Sequence, residues 1–333
     1  MLIKAMNNEF FVERKLTAIE RALTRLSPRA ASCCLCPRRC QVNRLHGQTG
    51  VCQTGDQARV STSLLHYGEE PVLSGQGGPD RAPGSGTIFF AGCNLKCLFC
   101  QNYQLSWLNQ GELVSDEQLA GFMLNLQAQG ALNINLVSPT HVILPVLRAL
   151  RIAYSQGLTI PIVYNSNGYD SIEVIEELRG IIDIYLPDLK YMSPELSKKY
   201  SAAPDYFEQA HLAIEEMYCQ QPELILNNED IATRGLIIRH LVLPGHSDDS
   251  LEIVDWLAKH LSTSVGLSLM SQYQPCFRAP AELQREISHQ EYQKVMTHAA
   301  SYNFSYLFLQ PEPFRSEEHL LPDFGQRTPF RWK

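Results

Sequence analysis

Hydrophobic and polar positions along this chain follow two periods, and each period predicts one kind of element. Near the N-terminus, residues 11–26 place apolar side chains three or four positions apart, which predicts an amphipathic helix on the domain surface. From residue 87 onward, short apolar runs typical of buried strands alternate with longer segments of helical spacing. The predicted strands cover residues 87–90, 134–137, 160–164, 181–186, 236–243, 265–270 and 306–309. The predicted helices cover residues 115–130, 142–154, 171–179, 194–200, 205–219, 250–260 and 290–301.

The order of these elements, a strand followed by a helix about six times, predicts an α/β fold with a parallel sheet and crossover helices. Such a sheet either stays doubly wound or closes partly into a barrel. The Gly- and Pro-rich stretch before it predicts a flexible loop. A phosphate cradle is the weaker alternative, because no glycine-rich phosphate motif follows a strand there. The predicted organisation is an N-terminal extension at 1–66, this loop at 67–86, the α/β domain at 87–310 and a covering tail at 311–333.

Composition narrows the class of protein. The chain has 333 residues, of which 44% are hydrophobic, and its formal net charge is −7. A balance of this sign favours neither nucleic acid nor an anionic membrane as a partner. No apolar stretch of about 18 residues occurs, so we expect no transmembrane helix. The chain has ten Cys, and eight of them fall between Cys33 and Cys100 at short spacings, which favours metal binding in a reducing cytoplasm over disulfides.

The candidate chemistry is concentrated directly after the first predicted strand, in TIFFAGCNLKCLFCQNY (residues 87–103). Cys93, Cys97 and Cys100 have the spacing C-x3-C-x2-C. Three thiolates on a loop that leaves a strand suit a soft metal or an iron–sulfur cluster. Three protein ligands leave one iron of a cubane cluster open, and an open coordination position generally marks a reactive centre. The motif therefore predicts a reactive iron–sulfur site.

This motif, with the aromatic Phe99 directly before Cys100, resembles the signature of the radical S-adenosylmethionine (SAM) superfamily. The resemblance implies a partial (β/α)6 barrel, a [4Fe–4S] cluster and SAM as cofactors, and Phe99 beside the adenine. It also implies an enzyme that cleaves SAM reductively to a 5′-deoxyadenosyl radical, which takes a hydrogen atom from a substrate. A cytoplasmic reductant such as flavodoxin or ferredoxin is then an expected partner.

A second set of cysteines lies in the N-terminal extension. Cys33, Cys36, Cys40 and Cys52 follow the pattern C-x2-C-x3-C-x11-C, with Gly and Pro residues that permit tight turns. Four convergent thiolates predict a closed site for zinc or for a second iron–sulfur cluster. Free thiols or a disulfide are the competing interpretations. Cys34 is an alternative to Cys33, which we favour because C-x2-C is the commoner loop.

Polar residues that follow the predicted strands are the candidate SAM contacts, because chemistry in a parallel barrel gathers at the carboxyl ends of strands. Short hydroxyls and amides suit the ribose and the amino-acid part of SAM. Asp188 and Lys190 share a face of an extended segment, where they either contact the amino and carboxylate groups of SAM or form a surface ion pair. The candidate SAM-binding residues on this rim are Ser138, Thr140, Asn165, Asn167, Asp188 and Lys190.

Two segments of the rim resemble one group within this superfamily. The sequence D-L-K at 188–190 and P-G-H-S-D-D at 244–249 resemble segments of glycyl-radical-enzyme activases of the pyruvate formate-lyase type. In that group the Asp and Lys contact SAM. Ser138 and Thr140 stand where many radical SAM enzymes have Gly-Gly-Glu. The match is closest to activase-like proteins with an N-terminal C-x2-C-P-R-x-C segment, whose substrate is not settled.

Three hypotheses on function follow from this resemblance and its limits. The first is a radical SAM enzyme that acts on a glycyl residue of a partner enzyme. The second keeps the radical chemistry and gives it a small molecule or a peptide as substrate. The third, from another class, is an iron–sulfur or zinc protein without SAM chemistry.

The remaining His and Cys residues near the rim are weaker candidates. His141, His240 and His246 are acid–base candidates for which we expect structural roles. Cys276 follows the sixth predicted strand and is a candidate for a thiol that faces the cavity. We expect Cys219 to pack within its helix.

Overall fold

The computed structural model of the protein describes residues 2–76, 78–80, 82–310, 321–326 and 328–330, with side chains from residue 10 onward. Its strands are β1 (Ala58–His66), β2 (Ser85–Phe90), β3 (Glu112–Val114), β4 (Ile134–Val137), β5 (Ile162–Ser166), β6 (Ile184–Pro187), β7 (Ile225–Leu226), β8 (Ala232–Leu241), β9 (Gly266–Met270) and β10 (Tyr306–Leu309). Its α-helices are α1 (Leu2–Leu26), α2 (Pro71–Ser74), α3 (Tyr103–Ser106), α4 (Asp116–Ala128), α5 (Ile143–Ser155), α6 (Ile172–Glu177), α7 (Pro194–Ser201), α8 (Tyr206–Gln220), α9 (Ser247–His260) and α10 (His289–Ala300).

One sheet organises the molecule, with the strand order β10-β9-β8-β6-β5-β4-β2-β1-β3. Each neighbouring pair from β2 to β10 along this order is parallel, whereas β1 pairs antiparallel with β2 and with β3. Because β10 and β3 stand at opposite ends of the order, the sheet stays open. This architecture confirms the predicted α/β fold, an open and mostly parallel sheet with crossover helices.

Burial along the strands explains why the helices pack on the outer face. On β2, β4 and β5, side chains such as Ile88, Leu136 and Tyr164 join the core that the helices cover. The alternate position Val163 joins a second cluster inside the sheet, here named the inner apolar cluster, which includes Leu73, Leu186 and Ile237.

The Ser115–Gln118 capping box is present at the start of α4, as predicted. The side chain of each residue accepts a hydrogen bond from the backbone N–H of the other.

The N-terminal extension is continuous with the sheet. Strand β1, which the sequence analysis did not identify, runs antiparallel to β2 from Val60 to His66. Helix α1 packs on α5 and α6, and the buried ammonium of Lys15 bonds Asp183 Oδ1 and the Ile181 carbonyl, both at 2.7 Å. These contacts join the extension to β2 and to the helices that precede β5 and β6.

The segment at 67–86 was expected to be a flexible loop, but Pro71–Ser74 forms the short helix α2. Val72 and Leu73 are buried in the inner apolar cluster, which accounts for the order of this segment. Glu69 and Glu70 both pair with Arg239 of β8 inside the barrel. The segment therefore fills part of the barrel interior.

The C-terminal tail was expected to cover the domain, and its residues 311–320, 327 and 331–333 lie outside the described part of the chain. In the described part of the tail, Phe324 and Phe330 pack against Phe89 of β2, with ring centroids 5.4 Å from it in both cases. The Phe324 N–H donates to Gln104 Oε1 at 2.7 Å. These tail residues therefore cover the carboxyl end of β2.

Candidate functional site

The loop that carries Cys93, Cys97 and Cys100, here named the barrel cysteine loop (residues 93–100), leaves the carboxyl end of β2. Gly92 precedes it with φ +85°, and a Cβ at Gly92 would collide with the carbonyl oxygen of Cys52. Glycine is therefore required for both the left-handed backbone and the close approach. The loop is tied to its surroundings by hydrogen bonds from Leu98 N–H to the Tyr200 carbonyl at 2.8 Å and from Trp107 Nε1 to the Cys97 carbonyl at 2.9 Å.

All three sulfurs of the barrel cysteine loop accept hydrogen bonds from neutral donors. Cys93 Sγ accepts from Asn167 Nδ2 at 3.3 Å and from the Leu95 N–H at 3.4 Å. Ser201 Oγ donates to Cys97 Sγ at 3.0 Å, and Ser106 Oγ donates to Cys100 Sγ at 3.2 Å. Donors aimed at sulfur are the surroundings that cluster thiolates require, and they tune the reduction potential.

Burial and the neighbouring thiols raise the pKa values in this loop. Burial raises the pKa of Cys93 to about 11 and that of Cys100 to about 12, and the neighbouring Cys97 contributes to both. A metal or cluster must therefore displace their protons when it binds. In the described part of the chain, no group of three or more His, Cys, Asp or Glu side chains is arranged for a single metal ion. A cubane cluster places each thiolate on a different iron, so its ligands need not converge on one point.

Asp188 and Lys190 lie on the same rim, at the end of β6. Their side chains form an ion pair, with Lys190 Nζ 2.6 Å from Asp188 Oδ2 and about a fifth of each side chain exposed. Burial alone would lower the pKa of Lys190, but the charges of Asp188 and of Cys97, together with the hydrogen bond to Asp188, raise it above its ordinary value. The Tyr206 hydroxyl bonds the carbonyls of both Asp188 and Asn167 at 2.9 Å, and the Asn167 amide donates to Cys93 Sγ, so the ion pair lies near the barrel cysteine loop.

The other four predicted SAM contacts have different surroundings. Thr140 is buried and donates to Asp170 Oδ1 at 2.6 Å, while the Asn167 amide is engaged with Cys93 Sγ and Asn94 Oδ1. Ser138 and Asn165 are half-buried at the rim, where the Ser138 N–H donates to the Asn165 carbonyl at 2.7 Å. The structure therefore gives Thr140 and Asn167 protein partners.

Asp170 was missed in the sequence analysis. This buried carboxylate accepts hydrogen bonds from the hydroxyls of Thr140, Tyr164 and Ser166, and its burial raises its pKa. It joins the loops that follow β4 and β5. A lone Asp gives no periodic signal, so only the fold identifies it.

Phe99 is buried between two tyrosines, with ring centroids 5.6 Å from Tyr273 and 6.4 Å from Tyr200. Cys276, the candidate cavity thiol, donates to the Phe99 carbonyl at 3.4 Å, and burial raises its pKa to about 11. A thiol with this pKa is mostly protonated at neutral pH and is a weak nucleophile.

The N-terminal cysteine segment (residues 33–52) brings Cys33, Cys36 and Cys52 together around Arg44. All three cysteines are buried, and Arg44, only 4% exposed, donates from Nε to Cys33 Sγ at 3.0 Å and from Nη2 to Cys52 Sγ at 3.2 Å. Burial raises the pKa of Cys36 to about 12, with contributions from Cys52 and Cys33. Arg44 is a residue that the spacing of the cysteines did not indicate.

The other two cysteines of this segment differ in their surroundings. Cys40 is half-buried, and its sulfur lies 2.6 Å from where a Cβ on Gly50 would stand. Cys34 is also half-buried, whereas Cys33 is 2% exposed and bonded to Arg44. These surroundings favour Cys33 over Cys34 as a ligand.

The histidines near the rim have structural partners. His141 Nε2 lies 2.8 Å from the Ala91 carbonyl, and His240 bonds the Leu189 carbonyl and Ser250 Oγ. Burial lowers the pKa of each to about 4, so both are neutral at pH 7. His246 Nε2 lies 2.9 Å from the hydroxyl of Tyr200.

Cys219 was expected to pack within its helix, and this prediction is wrong. The side chain lies on the exposed face of α8, whereas the buried face is formed by residues such as Met217 and Ile214. Apolar character alone did not reveal which face of the helix it occupies.

The fold and the cysteine loop together define an iron–sulfur protein built on an open parallel α/β barrel. The family model of the Radical SAM superfamily matches residues 87–257, which is more than half of the chain. The chain belongs to the radical SAM superfamily. Membership implies a [4Fe–4S] cluster and SAM as cofactors, and Cys93, Cys97 and Cys100 fit the cluster by their number, position and hydrogen bonds.

The chain is also similar to two further proteins. The sequence is 31% identical over 288 residues to Uncharacterized protein MJ0674 of Methanocaldococcus jannaschii, and the alignment covers 83% of this chain and 77% of that protein. Among solved structures, methylornithine synthase (PylB) is similar with a TM-score of 0.42 and 13% identity, over 68% of this chain and 70% of that one. In the described residues, no helix is both long enough and apolar enough to span a bilayer.

Proposed function

We propose that this protein is a hydrogen-abstracting radical SAM enzyme of the activase-like type, and that its substrate is a glycyl residue of a partner enzyme. The observation that supports this assignment most is the Asp188–Lys190 ion pair beside the barrel cysteine loop. In the activase segments that this D-L-K sequence resembles, the Asp and the Lys contact SAM. A carboxylate and an ammonium held together near three cysteines are matched to the amino and carboxylate groups of SAM.

The roles of the chain's own residues follow from their positions. The cluster with bound SAM supplies one-electron reductive cleavage and a carbon-centred radical. Cys93, Cys97 and Cys100 would hold the cluster, and Asp188 and Lys190 would orient the charged end of SAM. Phe99, between Tyr200 and Tyr273, provides an apolar surface within the barrel cysteine loop. Ser138 and Asn165, half-buried at the rim, remain candidate contacts for SAM.

A second candidate substrate is a small molecule or a peptide. Phe324 and Phe330 of the tail pack on Phe89 at the carboxyl end of β2, which narrows access from that side of the barrel. Glu69, Glu70 and Arg239 fill part of the interior. A narrow entrance favours a substrate smaller than a folded partner.

We also propose that Cys33, Cys36, Cys40 and Cys52 hold a second metal, either an iron–sulfur cluster or zinc, the latter requiring the four sulfurs to draw together on one ion. Support comes from the burial of three of these thiols and from the Arg44 guanidinium, which offsets negative charge on Cys33 and Cys52. A cytoplasmic location and an electron donor such as flavodoxin or ferredoxin belong to the same proposal, because reduced clusters and free thiols require a reducing compartment.

Electron paramagnetic resonance (EPR) after anaerobic incubation with SAM, reductant and a candidate glycyl radical enzyme of the same organism tests the substrate. A glycyl radical signal on the partner, absent when its glycine is replaced by alanine, is the expected result. Formation of 5′-deoxyadenosine without any signal on the partner would move the assignment to the small-molecule or peptide substrate.

A further inference from the structure

Arg38 lies inside the N-terminal cysteine segment, between Cys36 and Cys40, but its guanidinium contacts the barrel. Nε donates to the Asn94 carbonyl at 2.8 Å, Nη1 to the Ala202 carbonyl at 2.5 Å and Nη2 to the Ser201 carbonyl at 3.3 Å. The same guanidinium lies 5.1 Å from the ring centroid of Tyr169. One side chain therefore joins three separate parts of the sequence.

The first of these contacts leads to Cys93. Asn94 lies within the barrel cysteine loop, and its Nδ2 donates to the Tyr169 carbonyl at 2.6 Å. Its Oδ1 accepts from Asn167 Nδ2 at 2.8 Å, and the same amide nitrogen donates to Cys93 Sγ at 3.3 Å. By fixing the backbone of Asn94 and stacking on Tyr169, Arg38 restrains the amide that bonds the first sulfur.

The second contact leads to Cys97. Ser201 is the last residue of α7, where unpaired carbonyls attract a cation. Arg38 bonds the carbonyls of Ser201 and Ala202 at this helix end. Ser201 Oγ donates to Cys97 Sγ at 3.0 Å, and it lies 2.9 Å from the hydroxyl of Tyr191. Arg38, together with the Lys96 N–H that donates to the Ser201 carbonyl at 3.3 Å, therefore holds the helix end that carries this second sulfur donor.

A direct backbone contact joins the two cysteine regions as well. A Cβ on Gly92, the residue before Cys93, would collide with the Cys52 carbonyl and would lie 2.9 Å from Thr54 Oγ1. The Arg44 guanidinium, which bonds Cys33 and Cys52, also donates to the His141 carbonyl at 2.5 Å. The N-terminal cysteine segment thus packs against the start of the barrel cysteine loop.

We propose that Arg38 is a positioning residue through which the N-terminal cysteine segment sets the hydrogen bonds to Cys93 and Cys97. The inference rests on membership of the radical SAM superfamily and is independent of which substrate the enzyme uses. It gives the N-terminal segment a role in the SAM-binding cluster itself. Outer residues that orient metal ligands typically change metal affinity or activity 10- to 100-fold when they are replaced.

The test compares Arg38→Gln, Arg38→Lys and Arg39→Gln with the wild-type protein, each reconstituted with iron and sulfide. Arg39 is the matched control, because it is the next residue in the segment and pairs only with the exposed Glu173 among the contacts described. SAM is titrated while the EPR spectrum of the reduced protein is followed, since only a cluster with an open iron responds to SAM. Circular dichroism at the temperature of the SAM titration confirms that each variant is folded.

We expect Arg38→Gln to raise the SAM concentration for half-maximal spectral change about tenfold, in line with the usual effect of outer residues. Arg38→Lys should recover part of the loss, and Arg39→Gln should match the wild type. Ser201→Ala, which removes one donor to Cys97 at the end of α7, should lower the midpoint potential of the same cluster, and Arg38→Gln should shift it in the same direction. The proposal would be overturned if folded Arg38→Gln had the SAM titration and the midpoint potential of the wild type. It would also be overturned if Arg39→Gln changed both quantities as much as Arg38→Gln does. If SAM does not change the EPR spectrum of the reduced wild-type protein, the result would instead refute the radical SAM assignment.

Discussion

The barrel cysteine loop and the N-terminal cysteine segment place thiols in two different electrostatic settings. In the barrel loop every sulfur accepts from neutral donors, an amide, a backbone N–H or a hydroxyl. In the N-terminal segment a buried guanidinium, that of Arg44, bonds two of the sulfurs. A fixed positive charge suits four thiolates around a closed site, because it offsets their excess negative charge. Near the barrel loop the ammonium groups of Lys96 and Lys190 act on the thiols through their charge, and none of the described hydrogen bonds joins either ammonium to a sulfur.

The two regions differ also in what lies beside them. The ammonium of Lys190 is close enough to Cys97 to feel its charge, and it is paired with Asp188 at the rim. The N-terminal segment faces the backbone of Gly92 and His141. This difference agrees with the proposal that the barrel loop binds SAM and that the N-terminal segment supports it.

The largest expected effect is the loss of SAM cleavage from the barrel loop. Replacement of Cys93, Cys97 or Cys100 by Ala should abolish formation of 5′-deoxyadenosine, because each supplies one of only three thiolates. Chromatographic assay of 5′-deoxyadenosine under anaerobic, reducing conditions provides the measurement. Cys219→Ala, on the exposed face of α8, is the control that should keep wild-type cleavage. Undiminished cleavage in any one of the three variants would remove that residue from the cluster.

The second largest expected effect concerns the metal content of the two regions. A triple variant that lacks Cys93, Cys97 and Cys100 should retain zinc or about four irons per chain, since a cubane cluster at four Cys contains four irons. Further replacement of Cys36 and Cys40 by Ala should remove this metal. Because such ligands gather only in the folded chain, its loss should also lower local stability. A triple variant purified without oxygen and free of both metals would show that the N-terminal cysteines are ordinary thiols.

Gly92→Ala tests the contact between the regions. The added Cβ would meet the Cys52 carbonyl, and φ at this position is +85°, where a side chain alone costs about 1–2 kcal/mol. We expect the free energy of unfolding to fall by roughly 3 kcal/mol or more, as measured by urea denaturation. Gly121→Ala, in the exposed middle of α4 with open space around it, should instead stabilise the protein by about 0.5–1 kcal/mol. Similar effects of the two substitutions would argue against the close approach.

The smallest effect concerns the ion pair at the rim. Asp188→Asn and Lys190→Met should each weaken SAM binding by roughly 1–3 kcal/mol, the usual cost of a lost charge-assisted hydrogen bond. Calorimetry with SAM gives the affinities. Lys259→Met removes an exposed ion pair with Asp255 on α9 and should leave SAM affinity unchanged. If both rim variants bind SAM as tightly as the wild type does, Asp188 and Lys190 form only an ion pair.

The fold was predictable where the pattern of the sequence is local. Runs such as Val265 to Met270 and the Ser115–Gln118 capping box gave the parallel strands and the start of α4. Strand β1 was missed because its order comes from antiparallel pairing with β2, and its second half is only partly buried. Helix α2 was missed because Gly and Pro surround its four residues, and its order comes from burial inside the barrel.

The candidate site was predictable where spacing carries the signal and not where contacts are distant. Cysteines three or four residues apart indicate a metal loop without any structure. Arg38 and Ser201 are single polar residues, and the atoms they bond lie 56 and 104 positions away along the chain, at Asn94 and Cys97. No local pattern marks them. The position of Thr140 after a predicted strand likewise identified it as a rim residue. Its hydrogen bond to Asp170 could not be predicted, because that bond depends on the packing of the loop after β4 against the loop after β5.

The central claim is that the barrel cysteine loop holds a cluster that cleaves SAM. The direct test is to reconstitute the wild-type protein with iron and sulfide without oxygen, reduce it, add SAM and measure 5′-deoxyadenosine. We predict that 5′-deoxyadenosine forms only when both reductant and SAM are present. A protein with its full iron content and a reduced cluster that leaves SAM intact would contradict the account.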